Sequence, residues 1–166
     1  MEFFDYVKFL GMYWGEPGLQ PLVDAFSISK PPKKISKGDE DGFIEQKKIG
    51  VCLTFTDERF LKKSSELFPE GAMVLCNIRV YLTSSNGYKP YMGNLPKGLK
   101  LDASKTDVLQ ALGFPNDPKY SRAGELLPNE DDWKMRWDRS GHVLFCTFSD
   151  EGTADKLALQ PPLDQA

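Results

Sequence analysis

Leu53-Thr54-Phe55-Thr56-Asp57-Glu58 reads LTFTDE, and Cys146-Thr147-Phe148-Ser149-Asp150-Glu151 reads CTFSDE. Each phrase alternates, with Phe55 or Phe148 on one side and Thr54 or Thr147 on the other. That is the period of a half-buried strand. Each ends in Asp-Glu, where an aspartate bonds its own backbone and turns the chain. The same strand and turn are therefore written twice.

The surroundings repeat as well. Leu22-Val23-Asp24-Ala25-Phe26 resembles Val108-Leu109-Gln110-Ala111-Leu112. Each half reads as a helix, a proline-bearing exit, a polar loop and then strands separated by turns. The expected fold is α+β. Two tandem helix-plus-antiparallel-strand units, 1–85 and 86–166, form one sheet with the helices packed on one face.

In the first unit, Glu2 to Leu10 is expected as a helix facing the core with Phe3, Val7 and Leu10. Leu19 to Phe26 is expected as a second helix, stopped by Pro31-Pro32. Lys33 to Gly42 reads as a mobile polar loop. Strands are expected over Phe43–Lys48, Gly50–Thr56 and Ala72–Thr83, with a helical piece from Glu58 to Leu67. In the last strand Val74, Cys76, Ile78, Val80 and Leu82 share one face.

In the second unit, Asp102 or Ser104 caps a helix over Lys105–Leu112, and Gly113 with Pro115 ends it. Asn116 to Asp132 reads as a polar loop. Trp133–Trp137, His142–Ser149 and Ala154–Gln160 read as strands. Phe43, Phe55, Trp133, Trp137 and Phe148 are placed on core faces.

The chain has 166 residues and a net charge of −3, with 40% apolar and 27% charged residues. That is globular, and too acidic to favour nucleic acid. Three cysteines, Cys52, Cys76 and Cys146, sit in apolar runs without a CxxC pair, so they read as reduced core thiols. The N-terminus lacks the pattern of a signal peptide, and no apolar run is long enough for a bilayer. A cytoplasmic protein without a membrane partner is expected.

Chemistry is sparse. His142 is the single histidine, placed in a hairpin and read as a surface residue. Cys146, four residues along the same strand, would lie roughly 13 Å away, too far for proton transfer. No GxSxG, HExxH or phosphate-binding glycine loop occurs, so no catalytic residue, metal or cofactor is expected. Asp39-Glu40-Asp41 and Glu130-Asp131-Asp132 read as solvated acidic loops. Asp57 and Asp150 are the carboxylates that a hydrolase alternative would use.

What remains is surface for a protein partner. The helix-free face is expected to carry Thr54, Thr56, Arg79, Tyr81, Lys134, Arg136, Thr147 and Ser149, flanked by Trp14, Tyr88 and Tyr91. Tyr, Trp and Arg are the types that anchor interfaces. The contact candidates are Asp39, Glu40, Asp41, Arg79, Tyr81, Tyr88, Tyr91, Glu130, Asp131, Asp132 and Arg136.

One further pattern covers most of the chain. It runs through Gly15-Glu16-Pro17, Lys48-Ile49-Gly50-Val51 and Gly87-Tyr88-Lys89-Pro90-Tyr91-Met92-Gly93-Asn94-Leu95-Pro96-Lys97-Gly98-Leu99. It continues through Ser104-Lys105, Leu112-Gly113-Phe114-Pro115 and Arg136-Trp137-Asp138. It resembles a set of small bacterial immunity-type proteins of polymorphic toxin systems. Ser104-Lys105 stands where that pattern has Ser-Arg, and Asn116 to Tyr120 replaces its small polar tract. The layout is also analogous to the β-lactamase inhibitory protein, a tandem-repeat inhibitor with a concave sheet.

The resemblance implies an immunity protein that binds and neutralises a cognate antibacterial toxin, with a basic nuclease suited to the acidic loops. It implies no catalytic residue. A small carboxylate hydrolase, or a structural adaptor of a secretion or envelope system, is the alternative.

Overall fold

The computed structural model describes residues 1–61, 67–116 and 134–162. Seven strands form one antiparallel sheet: β1 (Lys33–Lys34), β2 (Asp41–Gln46), β3 (Val51–Asp57), β4 (Met73–Tyr81), β5 (Lys134–Arg139), β6 (His142–Phe148) and β7 (Ala154–Gln160). Their spatial order is β1-β2-β3-β4-β7-β6-β5. Two meanders, β2-β3-β4 and β5-β6-β7, therefore meet at the β4–β7 pair, where Arg79 stands opposite Ala158. The expected α+β class holds.

Helices are short. A 3-10 helix spans Phe3–Phe9, a 3-10 turn at Pro17–Leu19 leads into α1 (Gln20–Ala25), and α2 spans Lys105–Leu112. The first was expected to face the core with Phe3, Val7 and Leu10. It buries Phe3 as expected, together with Tyr6 and Phe9, while Val7 and Leu10 pack against the core only partly buried. In a 3-10 helix side chains three apart eclipse, so the buried edge steps by three rather than by three and four. α2 forms as expected: Ser104 accepts from the Asp107 backbone N–H, Asp107 reaches back to the Ser104 N–H, and Gly113 takes a positive φ of 79° just beyond it.

These helices and one sheet face enclose a single core. Phe3, Tyr6, Phe9, Leu22, Phe26, Val108 and Leu112 pack onto it from the helical side. Val51, Leu53, Phe55, Trp137, Leu144 and Phe148 meet them from the strands. Burial of such side chains contributes about 1.5–3 kcal/mol each. Phe55 and Phe148 are thus inward, as their phrases predict.

The strand faces depart from simple alternation in β4. Thr54 pairs with Asn77, but the next residue, Phe55, pairs with Leu75, so Cys76 is an extra residue in the ladder. Such a bulge reverses the alternation beyond it. Leu75 joins the core, whereas Val74 and Cys76, expected on the core face, line a cavity on the other side of the sheet. A second bulge falls between Thr147 and Phe148, where Asp155 is the unpaired residue of β7. Both bulges lie at the Thr-Phe step of the repeated phrase.

Several expectations need correction. Lys33–Gly42 contains β1 and the start of β2, because Lys33 and Lys34 pair with Phe43 and Gly42. β2 stops at Gln46, and a 3-10 turn at Lys47–Ile49 replaces the expected strand end. Gly50 follows at φ 70° and lies against the backbone of Lys89–Tyr91, so any Cβ there would collide. The expected helix from Glu58 is a 3-10 turn, Glu58–Phe60; positions 62–66 lie outside the described residues. Phe43 lies on the sheet face opposite the main core, packed against Cys52, Tyr81 and Tyr88. Trp133 lies outside the described residues.

Candidate functional site

The sheet face away from the helices is the candidate site. Pairing places its side chains in rows across the strands. Glu45 stands opposite Cys52, Cys52 opposite Arg79, Arg79 opposite Ala158, Ala158 opposite Phe145 and Phe145 opposite Arg136. A neighbouring row runs from Tyr81 through Lys156 and Thr147 to Lys134. Arg79, Tyr81 and Arg136, three of the expected contact residues, are therefore brought onto two adjacent rows from strands far apart in sequence.

Arg79 occupies the middle of this face. It is half-buried and makes no ion pair or side-chain hydrogen bond among the described residues. Glu45 lies two strands away, about 10 Å at the usual strand spacing, and it already accepts from the Tyr88 hydroxyl at 2.8 Å. Arg136 is partnered, with its Nε 3.2 Å from Asp138. The Lys134 ammonium stands 4.0 Å from the Phe145 ring centroid. At its centre the open face is cationic.

Two hollows flank Arg79. One, of about 710 Å³, is lined by Phe43, Thr54, Val74, Asn77 and Arg79. The other, of about 970 Å³, is lined by Pro31, Phe43, Cys52, Arg79 and Tyr88. Asn77 is 7% exposed, and its side-chain oxygen is buried without a hydrogen-bond partner. An orphaned buried amide costs about 1–3 kcal/mol, and sequence reasoning missed it. The available signal was an amide inside the otherwise apolar run Met73–Ile78.

The remaining expected contact residues are placed differently. Tyr81 and Tyr88 stack at 3.9 Å with planes 8° apart, and both are almost fully buried. They brace the face rather than project from it. Burial, first, and the bond to Glu45 push the Tyr88 hydroxyl far above its usual range. Tyr91 is not on this face at all: it sits in the core, its hydroxyl 2.8 Å from that of Tyr6. Trp14 likewise packs on the core, edge-on to Phe55.

Of the first acidic loop, Asp39 accepts from the Ser36 backbone and hydroxyl, and that backbone bond above all holds its pKa down. Asp41 accepts from Thr56 at 2.7 Å, whereas Glu40 is exposed. Glu130, Asp131 and Asp132 lie outside the described residues.

The two Asp-Glu pairs differ. Asp57 is buried, accepts from the backbone N–H of Arg59, and is bonded to the Arg59 guanidinium at 2.7 Å and the Lys34 ammonium at 2.8 Å. Arg59, chiefly, holds its carboxyl well below the usual carboxylate range. A general acid needs the opposite shift. Glu58 is buried and accepts from the Gly71 N–H, whereas Asp150 and Glu151 are exposed in a turn.

His142, expected on the surface, is half-buried beside the Phe4 ring. Burial lowers its pKa, with the Ser140 backbone opposing. All three cysteines are free thiols. Among the described residues no cluster of histidine, cysteine and carboxylate side chains could hold a metal ion, and no helix is long and apolar enough to cross a membrane.

No family model matches the chain, and no curated protein matches it. Among solved structures it is similar to a DUF4309 family protein, YjgB, from Bacillus subtilis subsp. subtilis str. 168. The identity is 17%, the alignment covers 95% of this chain and 96% of that one, and the TM-score is 0.44.

Proposed function

We propose that this chain is a non-enzymatic cytoplasmic immunity protein that neutralises a cognate antibacterial toxin by binding it with the sheet face opposite the main core. The observation that carries the reading is Arg79, without an ion-pair partner among the described residues and held at the centre of that face between two hollows. A free guanidinium on a rigid strand is pre-organised to take a partner carboxylate, and little side-chain freedom is lost when it does. The stacked Tyr81 and Tyr88 support it from the side.

The scaffold is a duplicated one in this reading. Two features support that: the mirror order of the meanders about β4 and β7, and the bulge at the Thr-Phe step of both phrases. Duplication yields a seven-stranded sheet, wider than the four strands of the first unit or the three of the second. A nuclease toxin remains the proposed class of partner. The patch of it that meets Arg79 is acidic, and the exposed Glu40 is left to complement basic surface elsewhere.

Co-expression tests the reading. Cells producing the toxin encoded beside this protein should survive with it and die without it. Arg79→Glu combined with Arg136→Glu should abolish protection while leaving the circular dichroism spectrum unchanged. Equal killing in the presence and absence of the chain would sink the idea.

A further inference from the structure

The hollow of about 710 Å³ combines three properties that do not arise from fold stability. Its walls are largely apolar, with Phe43, Phe60, Phe68, Val74 and Pro161 among them; Glu40 and Asp41 line it too, and Asp41 already accepts from Thr56. Asn77 lines it and is more than nine-tenths buried, yet its carboxamide makes no hydrogen bond among the described residues. Arg79 lines it too, without an ion-pair partner. Asn77 and Arg79 are two apart on β4, so both project from the same side, roughly 7 Å apart along the strand.

A buried amide without a partner is destabilising, and an aliphatic residue there would be better for the free fold. It is the side-chain oxygen of Asn77 that is buried without a partner among the described residues; with the amide turned over, the NH2 would take that place, and either end matches one half of a peptide unit. A carboxamide both donates and accepts, so it matches the N–H and C=O of one peptide unit. The neighbouring guanidinium matches a carboxylate, which it holds through two parallel bonds. The apolar walls take an aliphatic or aromatic side chain. A chemical group that carries all three within a few ångströms is the C-terminal residue of an apolar peptide.

We infer that this hollow is a binding site for an apolar acyl amino acid, the chemistry of a peptide C-terminus, with Arg79 on the terminal carboxylate and Asn77 on the adjoining peptide unit. The same chemistry is offered by a free N-acylated amino acid. Arg79 serves both readings, but Asn77 and the apolar walls belong to this one alone, and small probes without a toxin test it, so its failure is distinguishable from failure of the proposed function.

Isothermal titration calorimetry on the full chain distinguishes the possibilities, with N-acetyl-leucyl-leucine, its C-terminal amide and N-acetyl-leucine as probes. The free-acid dipeptide should bind at least tenfold more tightly than its amide. Arg79→Gln should remove that preference, and Asn77→Leu should weaken both dipeptide forms at least tenfold. Circular dichroism and thermal melts report whether Asn77→Leu folds, and because Arg79 is only half-buried, Arg79→Gln is the safer variant. N-acetyl-leucine binding as tightly as the dipeptide would assign the site to a free acyl amino acid. Equal binding of acid and amide, unchanged binding by Arg79→Gln, or no heat at millimolar probe would overturn the inference.

Discussion

Tyr6 and Tyr91 share one buried hydrogen bond, hydroxyl to hydroxyl at 2.8 Å, joining the first helical turn to the loop after β4. Burial, then the bond to Tyr6, drives the Tyr91 hydroxyl well above its usual pKa. Removing either hydroxyl leaves the other buried and orphaned, at a cost of about 1–2 kcal/mol. Tyr6→Phe and Tyr91→Phe should each lower the urea midpoint, and the double variant should lose less than the two losses added. Strict additivity in that double-mutant cycle would show that the pair does not act as a unit.

Asp57 makes stability sensitive to acid. Its folded pKa is depressed, so its contribution is fully present above the unfolded value, about 3.9. It is lost as pH falls below that value toward the folded pKa. Asp57→Asn should cost about 1–2 kcal/mol at pH 7, because Lys34 and the Arg59 backbone lose a charged acceptor. The difference between wild type and variant should shrink below pH 4. Chemical denaturation at pH 7, 5 and 3 checks this; a constant difference across the three would contradict it.

His142 titrates in a separate window. Burial depresses its folded pKa, so the unfolded chain takes up the proton first. Stability is therefore unaffected above about pH 6.5 and declines as pH falls from there through the folded pKa. His142→Phe should remove that decline and leave the loss below pH 4. A proton NMR titration of the ring should give a pKa under 6.5, and a value above it would refute the assignment.

The thiols should react in an order set by burial. Cys146 is fully enclosed, and burial pushes its pKa far up; burial also raises Cys52 and Cys76. Thiolate is the reactive form, so all three should be slow toward a disulfide reagent at pH 7.5. Half-buried Cys76 should react first and Cys146 last. Denaturant should release all three together. Rapid labelling of Cys146 in native protein would be inconsistent with this core.

Local signals carried much of the fold. Ser104 with Asp107 three residues on, then Val108 and Leu112, specified α2 because a capping box and an apolar spacing are short-range features. LTFTDE and CTFSDE specified β3 and β6 for the same reason. The first helix was misjudged because Phe3, Phe4, Tyr6, Val7, Phe9 and Leu10 satisfy several periods at once. Its 3-10 form is selected by what Phe3, Tyr6 and Phe9 touch in the core. The candidate site was only partly legible. Arg79 and Arg136 were recognisable as strand residues of the open face, but an ion-pair partner, or its absence, is a property of strands paired across the sheet.

The sequence by itself determined the α+β class, the repeated strand-and-turn phrase and the inward direction of Phe55 and Phe148, since a strand's alternation is written residue by residue. Tertiary structure alone decided that β4 meets β7, that Cys76 and Asp155 drop out of the ladder, and that Tyr91 is core. A bulge depends on which strand lies opposite and in what register, and no local pattern encodes that. Asn77 and Arg79, both without a partner among the described residues, belong to the same class of fact: partnership is settled only when distant strands come together.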